Sequence, residues 1–138
     1  MPMDRKFWIT FAALFVLTMA LGFVVHGVLL KSDYEALTPE VMRPLDEQES
    51  KFAFQIIAHV FIAFGFTWIY REGHAPGKSW VTQGICFGLA FAFASTIPFF
   101  LIYHAVANFP LALSLKQCVF DGISVVIVGM TAAYLNRG

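Results

Sequence analysis

Charge is scarce in this sequence. Only 13% of its 138 residues are charged, against about 25% in an average soluble protein, and the formal net charge is zero. No run of like charges occurs, so binding to nucleic acid or to an acidic polymer is excluded. Hydrophobic residues make up 59% of the chain. This balance predicts a protein whose surroundings are lipid.

Cysteine is equally rare, and its positions exclude a redox motif. Cys86 and Cys118 are the only two, both lie in apolar segments, and they do not form a Cys-x-x-Cys pair. Cysteines of this kind behave as small hydrophobic residues. We expect both to be buried, with no redox or metal-binding role.

The motifs of soluble enzymes and of secreted precursors are missing as well. There is no glycine-rich phosphate loop, no Ser-His-Asp spacing and no nucleophile elbow. The apolar run after residue 6 is longer than the roughly 7–15 residues of a signal core, so we expect it to be retained as a first span. The pattern favours a non-enzymatic role over catalysis and leaves that question open.

Four apolar stretches are each long enough to cross a bilayer. A helix needs roughly 20 residues to span about 30 Å of hydrocarbon. We place the spans at Phe7–Leu30, Phe52–Tyr70, Val81–Tyr103 and Leu111–Leu135. The predicted fold is all-α: residues 1–138 form one domain, an antiparallel four-helix transmembrane bundle in contact with the lipid bilayer.

The connection of residues 31–51 joins the first and second spans. Residues 38–40, Thr-Pro-Glu, are a helix-start signal that Pro44 ends, so one short surface helix is expected. Asp46 and Glu49 have capping-box spacing. This spacing predicts that the second helix begins about two turns before it enters lipid.

Basic residues near the span ends indicate an orientation. We call the end with residues 2–6, 71–80 and 136–138 the terminal end, and the end with residues 31–51 and 104–110 the loop end. Arg5, Lys6, Arg71, Lys78 and Arg137 lie at the terminal end, and Lys31, Arg43, Lys51 and Lys116 at the loop end. Five against four favours both termini in the cytoplasm by the positive-inside rule.

Each span carries a stripe of small or polar residues. Helices in lipid associate through close approach and hydrogen bonds, so these stripes should face neighbouring helices. In chain order the stripes are Thr18-Gly22-His26, Gln55-His59-Ala63-Thr67, Gly84-Gly88-Ala92-Thr96 and Gln117-Asp121-Ser124. Pro98 is expected to bend the third helix.

Ionisable side chains gather in the half of the bundle near the loop end. At 1.5 Å per residue, His26 lies about 6 Å, His59 about 10 Å and Asp121 about 8–15 Å inside that end, with His104 at its boundary. An isolated Asp in hydrocarbon costs about 2.5–3.5 kcal/mol, so such groups usually pair. We predict that Asp121 lies within hydrogen-bonding or water-bridged reach of His26 or His59.

The cluster allows a structural interpretation and a proton-path interpretation. In the first, an Asp–His hydrogen bond, assisted by Gln55 and Gln117, fixes the register of the helices. In the second, His26, His59 and Asp121 form a binding site or proton relay with the same two glutamines, on a proton-coupled or small-solute permeation path. Chains of Asp and His inside membranes are typical of proton paths, and imidazole titrates near physiological pH.

Two cofactor interpretations also remain open, and either would make the chain a membrane redox protein. A metal ion could bind His26, His59, His104 and Asp121, because imidazole and carboxylate suit zinc, iron or copper. A b-type haem could instead lie between His26 and either His59 or His104. No His-x-x-x-His pair occurs, so all ligands would come from separate helices.

Several short segments carry a resemblance. They are His26–Leu30 with Tyr34, Arg43-Pro44, Ile69–Gly73 and Gln83-Gly84. Together they resemble small four-span bacterial inner-membrane proteins of unknown function, over most of the chain. The resemblance implies a location in the bacterial inner membrane, and it provides no catalytic residues to assign. We expect a binding or accessory component that works as a homo-oligomer or in a larger membrane complex, because 138 residues offer little shelter for a transport path alone.

Overall fold

The computed structural model describes residues 2–138 as a bundle of helices. The elements are α1 (Arg5–Gly22) with a π-helical continuation (Phe23–Leu29), α2 (Lys31–Glu35), α3 (Leu45–Ser50), α4 (Phe52–Glu72), α5 (Trp80–Phe91) with a π-helical continuation (Ala92–Thr96), α6 (Ile97–Val106) and α7 (Leu111–Leu135). No strand occurs within the described residues.

Four helical segments are long and apolar enough to cross a membrane. They are Arg5–Leu29, Phe52–Glu72, Trp80–Val106 and Leu111–Leu135. In lipid a helix satisfies its own backbone hydrogen bonds, which is why these apolar stretches are helical throughout. The predicted all-α fold with four spans is confirmed.

The last span, α7, lies at the centre of the bundle. It contacts α1, α4, α5 and α6, whereas α5 packs chiefly on α7 and α4 chiefly on α1. Both termini meet at the terminal end. There Lys6 Nζ donates to the carbonyl oxygen of Gly138 at 3.0 Å, and Asp4 forms an ion pair with Arg71 at the end of α4.

Glycines bring the backbones of α5 and α7 into direct contact in the half near the terminal end. A Cβ added at Gly88 would lie 2.5 Å from Val126 Cα, and one added at Gly129 would lie 2.6 Å from the Gly84 carbonyl oxygen. Only glycine permits so close an approach. The predicted helix-facing role of the Gly84–Gly88 stripe is confirmed.

In the same half of the bundle, aromatic rings pack between α4 and α5. The ring of Phe66 lies 4.1 Å from that of Phe91 and 5.6 Å from that of Phe87, and Tyr70 lies 5.3 Å from Phe87. Such pairs contribute about 0.5–1.5 kcal/mol each beyond their buried area. Phe87 and Phe91 are partly buried and pack against a buried core, which is made of Leu14, Ala63, Phe66, Tyr70, Val128, Ala132 and Ala133.

The half near the loop end is more open. Between Phe52 and Ile62 every residue of α4 is exposed except His59, which is half-buried. A smaller core of Val25, Leu30 and Leu113 lies at this end, and no residue of α4 belongs to it. The second span therefore packs along only about half of its length.

Pro98 accounts for the π-helical turn in the third span. Its ring nitrogen has no hydrogen to donate, and its ring crowds the carbonyl four residues earlier, so the preceding turn widens. A widened turn rotates the residues that follow. Ala92, at the start of the turn, is buried, and Thr96, at its end, is half-buried.

Two predictions about the connection of residues 31–51 are wrong. Residues 36–42 form turns and no helix starts at residue 38; the chain leaving the first span continues directly into α2 instead. The helix before α4 begins at Leu45 with Pro44 as its N-cap, so the predicted capping box does not form. The φ of Pro44 is already suited to a helix start.

The prediction that both cysteines are buried is also wrong. Cys86 is exposed and Cys118 is half-buried, with its Sγ 3.8 Å from the carbonyl oxygen of Ile97. In lipid the outer surface of a bundle is as apolar as its interior. An apolar neighbourhood in the sequence therefore does not indicate burial here.

Candidate functional site

The first and last spans meet through a histidine and an aspartate. His26 Nε2 lies 3.2 Å from Asp121 Oδ1, and the two side chains are 38% and 17% exposed. The predicted contact between Asp121 and a histidine is confirmed. The imidazole gives the carboxylate a hydrogen-bond donor at a depth where an isolated charge is costly.

Tyr34 binds the other nitrogen of the same imidazole. Its Oη lies 2.6 Å from His26 Nδ1, and the Gln117 side-chain amide donates to the same Oη at 2.9 Å. Gln117, Tyr34, His26 and Asp121 therefore form one continuous series of hydrogen bonds, which we call the polar chain. It links α7, α2, the first span and α7 again.

One placement of hydrogens satisfies every bond of the polar chain. Gln117 Nε2 can only donate, so Tyr34 Oη accepts from it and donates its own hydrogen to His26 Nδ1. The other ring nitrogen of His26 then carries hydrogen and donates to Asp121 Oδ1. All donors point the same way, from the loop end toward Asp121.

The environment keeps Tyr34 in its neutral, donating form. Burial raises the pKa of the Tyr34 hydroxyl, and the nearby charges of Asp121 and Asp33 raise it further, against the opposing effect of the hydrogen bond from Gln117. The hydroxyl thus retains the proton that its bond to His26 requires.

Apolar side chains and an ion pair surround the polar chain. Val25, Leu30 and Leu113 are buried, and Tyr34 packs on them together with Leu37, Phe109 and Phe120. Next to Tyr34, Asp33 accepts from Lys116 Nζ with both carboxylate oxygens at 2.9 Å. Adjacent residues of α2 thus contact adjacent residues of α7.

The π-helical end of the first span carries His26. Its widened turn is closed by the Leu30 N–H, which donates to the Val25 carbonyl oxygen at 2.9 Å. A π-helical turn inside a spanning helix is often associated with a functional site. Here it places the imidazole between α2 and α7.

A second histidine lies beside the polar chain without joining it. The His59 ring packs against Gly22, where an added Cβ would lie 3.5 Å from both Cε1 and Nε2. Within residues 2–138, His59 Nδ1 and Asp121 Oδ2 are both buried and have no hydrogen-bond partner. These two atoms could therefore form further hydrogen bonds in addition to those of the polar chain.

A comparison with protein families identifies the chain. The model of a family described as a protein of unknown function, DUF1761, matches residues 9–133. The chain belongs to the DUF1761 family. The expectation of an uncharacterised family is confirmed, and the whole polar chain lies within the matched residues of this DUF1761 protein. No curated protein and no solved structure is significantly similar to it.

Two of the residues predicted for the site lie apart from the polar chain. His104 Nδ1 is hydrogen-bonded to the carbonyl oxygen of Phe109, in the turn that follows its own helix, at 2.7 Å. Gln55 is exposed and has no hydrogen bond within the described part of the chain. Gln117 does take part, but through Tyr34 and not through Asp121.

The geometry does not assemble the predicted metal ligands. Within residues 2–138 no group of three or more His, Cys, Asp or Glu side chains is placed to hold a metal ion. Both nitrogens of His26 are engaged, so a metal or haem iron would have to displace Tyr34 or Asp121. No observation therefore favours the metal or haem interpretation.

Sequence reasoning missed Tyr34 as a member of the site. Tyr34 follows His26 by eight residues, about two helical turns, and this spacing is the signal that could have identified it. Because the apolar run ends at Leu30, sequence reasoning assigned His26 to a spanning helix and Tyr34 to the connection that follows it. In the structure the first span continues almost directly into α2, so His26 and Tyr34 lie two helical turns apart and near each other.

Proposed function

We propose that this DUF1761 protein is a membrane-embedded accessory component that takes up and releases a proton at the His26–Asp121 pair. The observation that supports the proposal is the polar chain, whose hydrogen bonds are all satisfied when each donor is directed toward Asp121. Series of Asp and His side chains within membranes are typical of proton relays. Imidazole is the side chain suited to exchange protons near neutral pH.

The transfer involves only O–H and N–H bonds. A proton arriving at Tyr34 Oη replaces the one that the hydroxyl passes to His26 Nδ1. The imidazole in turn releases its Nε2 hydrogen to Asp121 Oδ1. The net result is one proton moved to the carboxylate, with the remaining imidazole hydrogen shifted to Nδ1, and reverse transfer restores the starting state.

A proton on the pair changes the hydrogen bonds that His26 makes, and a neighbouring protein could sense this change. We further propose that the chain works in a homo-oligomer or a larger membrane complex. Its place would be the bacterial inner membrane, with both termini in the cytoplasm. The small size of the bundle and the five-to-four distribution of basic residues support this arrangement.

Infrared spectroscopy of the protein in lipid nanodiscs, recorded as a function of pH, tests the proposal. The carboxyl signal that disappears in Asp121→Asn belongs to Asp121. We expect this signal to respond to pH in wild type, and this response to change in His26→Gln.

The matched control is His104→Gln, because His104 bonds only its own turn. This variant should keep the wild-type response of the Asp121 signal to pH. An Asp121 signal that does not change with pH would overturn the proposal, as would one that His26→Gln and His104→Gln affect equally.

A further inference from the structure

We infer that α2 is a latch over the His26–Asp121 pair, held closed by Tyr34 while Nδ1 of His26 is free of hydrogen and loosened when Nδ1 carries one. The inference rests on the proposed function, because it gives the proton a consequence for the shape of the protein. It makes α2 the element through which occupancy of the pair is regulated and reported.

Few side-chain hydrogen bonds attach α2 to the bundle, and one side chain makes two of them. Tyr34 is bonded to His26 and to Gln117, and Asp33 is bonded to Lys116. No residue of α2 is fully buried. Besides the packing of the Tyr34 ring on the small core of Val25, Leu30 and Leu113, the short helix is held by a small number of polar bonds. One of these bonds depends directly on the protonation of His26.

Hydrogen on Nδ1 reverses the bond between Tyr34 and His26. While Nδ1 is bare, Tyr34 donates to it and accepts from Gln117, so each atom is satisfied. Once Nδ1 carries hydrogen, Tyr34 Oη must accept from both neighbours. The Tyr34 hydroxyl hydrogen then has no acceptor, because its Oη bonds only these two groups in residues 2–138.

The bond between Tyr34 and His26 is reversed whether the added proton stays on His26 or passes to Asp121. If His26 holds an extra proton, both of its ring nitrogens carry hydrogen. If the proton passes on to Asp121, the hydrogen that stays on His26 is again on Nδ1. Both states face Tyr34 with a donor, so α2 responds to occupancy of the pair as a whole.

The charges around His26 determine which of its two hydrogen bonds weakens, and this is the bond to α2. Asp121 on α7 attracts an imidazolium, so the contact between the first span and α7 is kept while the one to Tyr34 weakens. Asp33 and Lys116 pair with each other and remain a second attachment of α2. His59 on α4 lies beside this site and forms no hydrogen bond to His26.

Hydrogen–deuterium exchange in nanodiscs tests the latch through the amides of Lys31–Glu35, corrected for the intrinsic pH dependence of exchange. We expect protection of this segment to fall about fivefold or more in wild type as His26 takes up a proton, the factor that matches one lost hydrogen bond. Protection of the Gly84–Gly88 segment should stay constant and serves as the internal reference.

Two variants separate the latch from general loosening. Tyr34→Phe cannot donate to Nδ1 and should show low protection of Lys31–Glu35 at every pH. Lys116→Gln removes the second attachment only, so it should lower protection throughout and keep the step with pH. A step that persists in Tyr34→Phe would overturn the latch.

The outcomes for the latch and for the proton site are distinguishable. If the infrared signal shows proton uptake at the pair while α2 protection stays constant with pH, the latch is wrong and the proton site stands. If neither the infrared signal nor the protection changes with pH, both are wrong.

Discussion

The half of the bundle near the terminal end and the half near the loop end are held by different kinds of contact. Near the terminal end, α5 and α7 touch backbone to backbone at Gly84, Gly88 and Gly129, and aromatic rings join α4 to α5. Near the loop end, α4 is largely exposed and a series of hydrogen bonds joins α2, the first span and α7.

This difference separates what keeps the protein folded from what allows it to respond. Contacts between backbones and rings do not depend on protons, and interiors packed so closely permit little movement. The hydrogen bonds at the loop end depend on which atoms carry protons, and the π-helical turn that carries His26 lies in that half. We therefore expect substitutions to affect stability most near the terminal end and proton responses most near the loop end.

The largest effect should come from Gly88→Ala. The added methyl group would lie 2.5 Å from the backbone of Val126, which cannot move aside without separating α5 from α7. Overpacking of this kind costs about 1–3 kcal/mol. The matched control is Gly122→Ala on α7, where an added Cβ meets nothing within 4 Å.

Thermal unfolding in detergent measures this difference. Gly122→Ala should be neutral or up to about 1 kcal/mol more stable than wild type, because alanine favours helix over glycine. Equal stability of the two variants would contradict the role assigned to backbone contact near the terminal end.

The next effect should come from His26→Leu, which leaves Asp121 without its donor. We expect a loss of about 1–3 kcal/mol, toward the lower value because His26 is 38% exposed. Adding Asp121→Asn should recover part of this loss, since the variant removes the unpaired charge. A double-mutant cycle by denaturant unfolding in micelles measures the coupling, and additive losses would show that the pair contributes no stability.

A smaller, pH-dependent effect should come from Asp4 at the terminal end. Two hydrogen bonds from Arg71, at 2.6 and 2.8 Å, hold the pKa of the Asp4 carboxyl well below its usual range, assisted by the backbone N–H of Phe7. A lowered pKa stabilises the fold above the unfolded-state pKa of about 3.9, and this contribution is lost as pH falls below that value toward the folded-state pKa.

The melting temperatures of wild type and Asp4→Asn measured against pH check the effect. Wild type should be the more stable at neutral pH, and the difference should shrink as the solution is acidified below about pH 4. Taking the difference cancels carboxyl groups that titrate in both proteins. A difference that stays constant over this pH range would count against the ion pair as its source.

The smallest effect should come from Gln55→Leu. Gln55 is exposed and has no hydrogen bond within the described residues, so its replacement should change stability by less than about 0.5 kcal/mol. Gln117→Leu, which removes the donor to Tyr34, is the matched variant and should cost about 0.5–1.5 kcal/mol. Equal losses for the two in detergent unfolding would place Gln55 in the site after all.

The contact between Asp121 and His26 was predictable from the depth of the two residues in the membrane and from the free-energy cost of an unpaired carboxylate there. Helical rise places Asp121 and His26 at similar depths, and an isolated carboxylate at that depth needs a partner. The same reasoning did not exclude Gln55 or His104. Gln55 is polar at the right spacing, but it is exposed on α4. His104 Nδ1 is hydrogen-bonded to a carbonyl oxygen in the turn that follows its own helix.

The sequence by itself determined the four spans and the need for a partner of Asp121. Both follow from the cost of leaving polar groups unsatisfied in hydrocarbon, which is the same wherever the helices pack. Only the tertiary structure decided which half is tightly packed, that Tyr34 joins His26, and which cysteine is exposed. The physical reason is that lipid and neighbouring helices are equally apolar, so hydropathy does not distinguish a face in contact with lipid from a face in contact with protein.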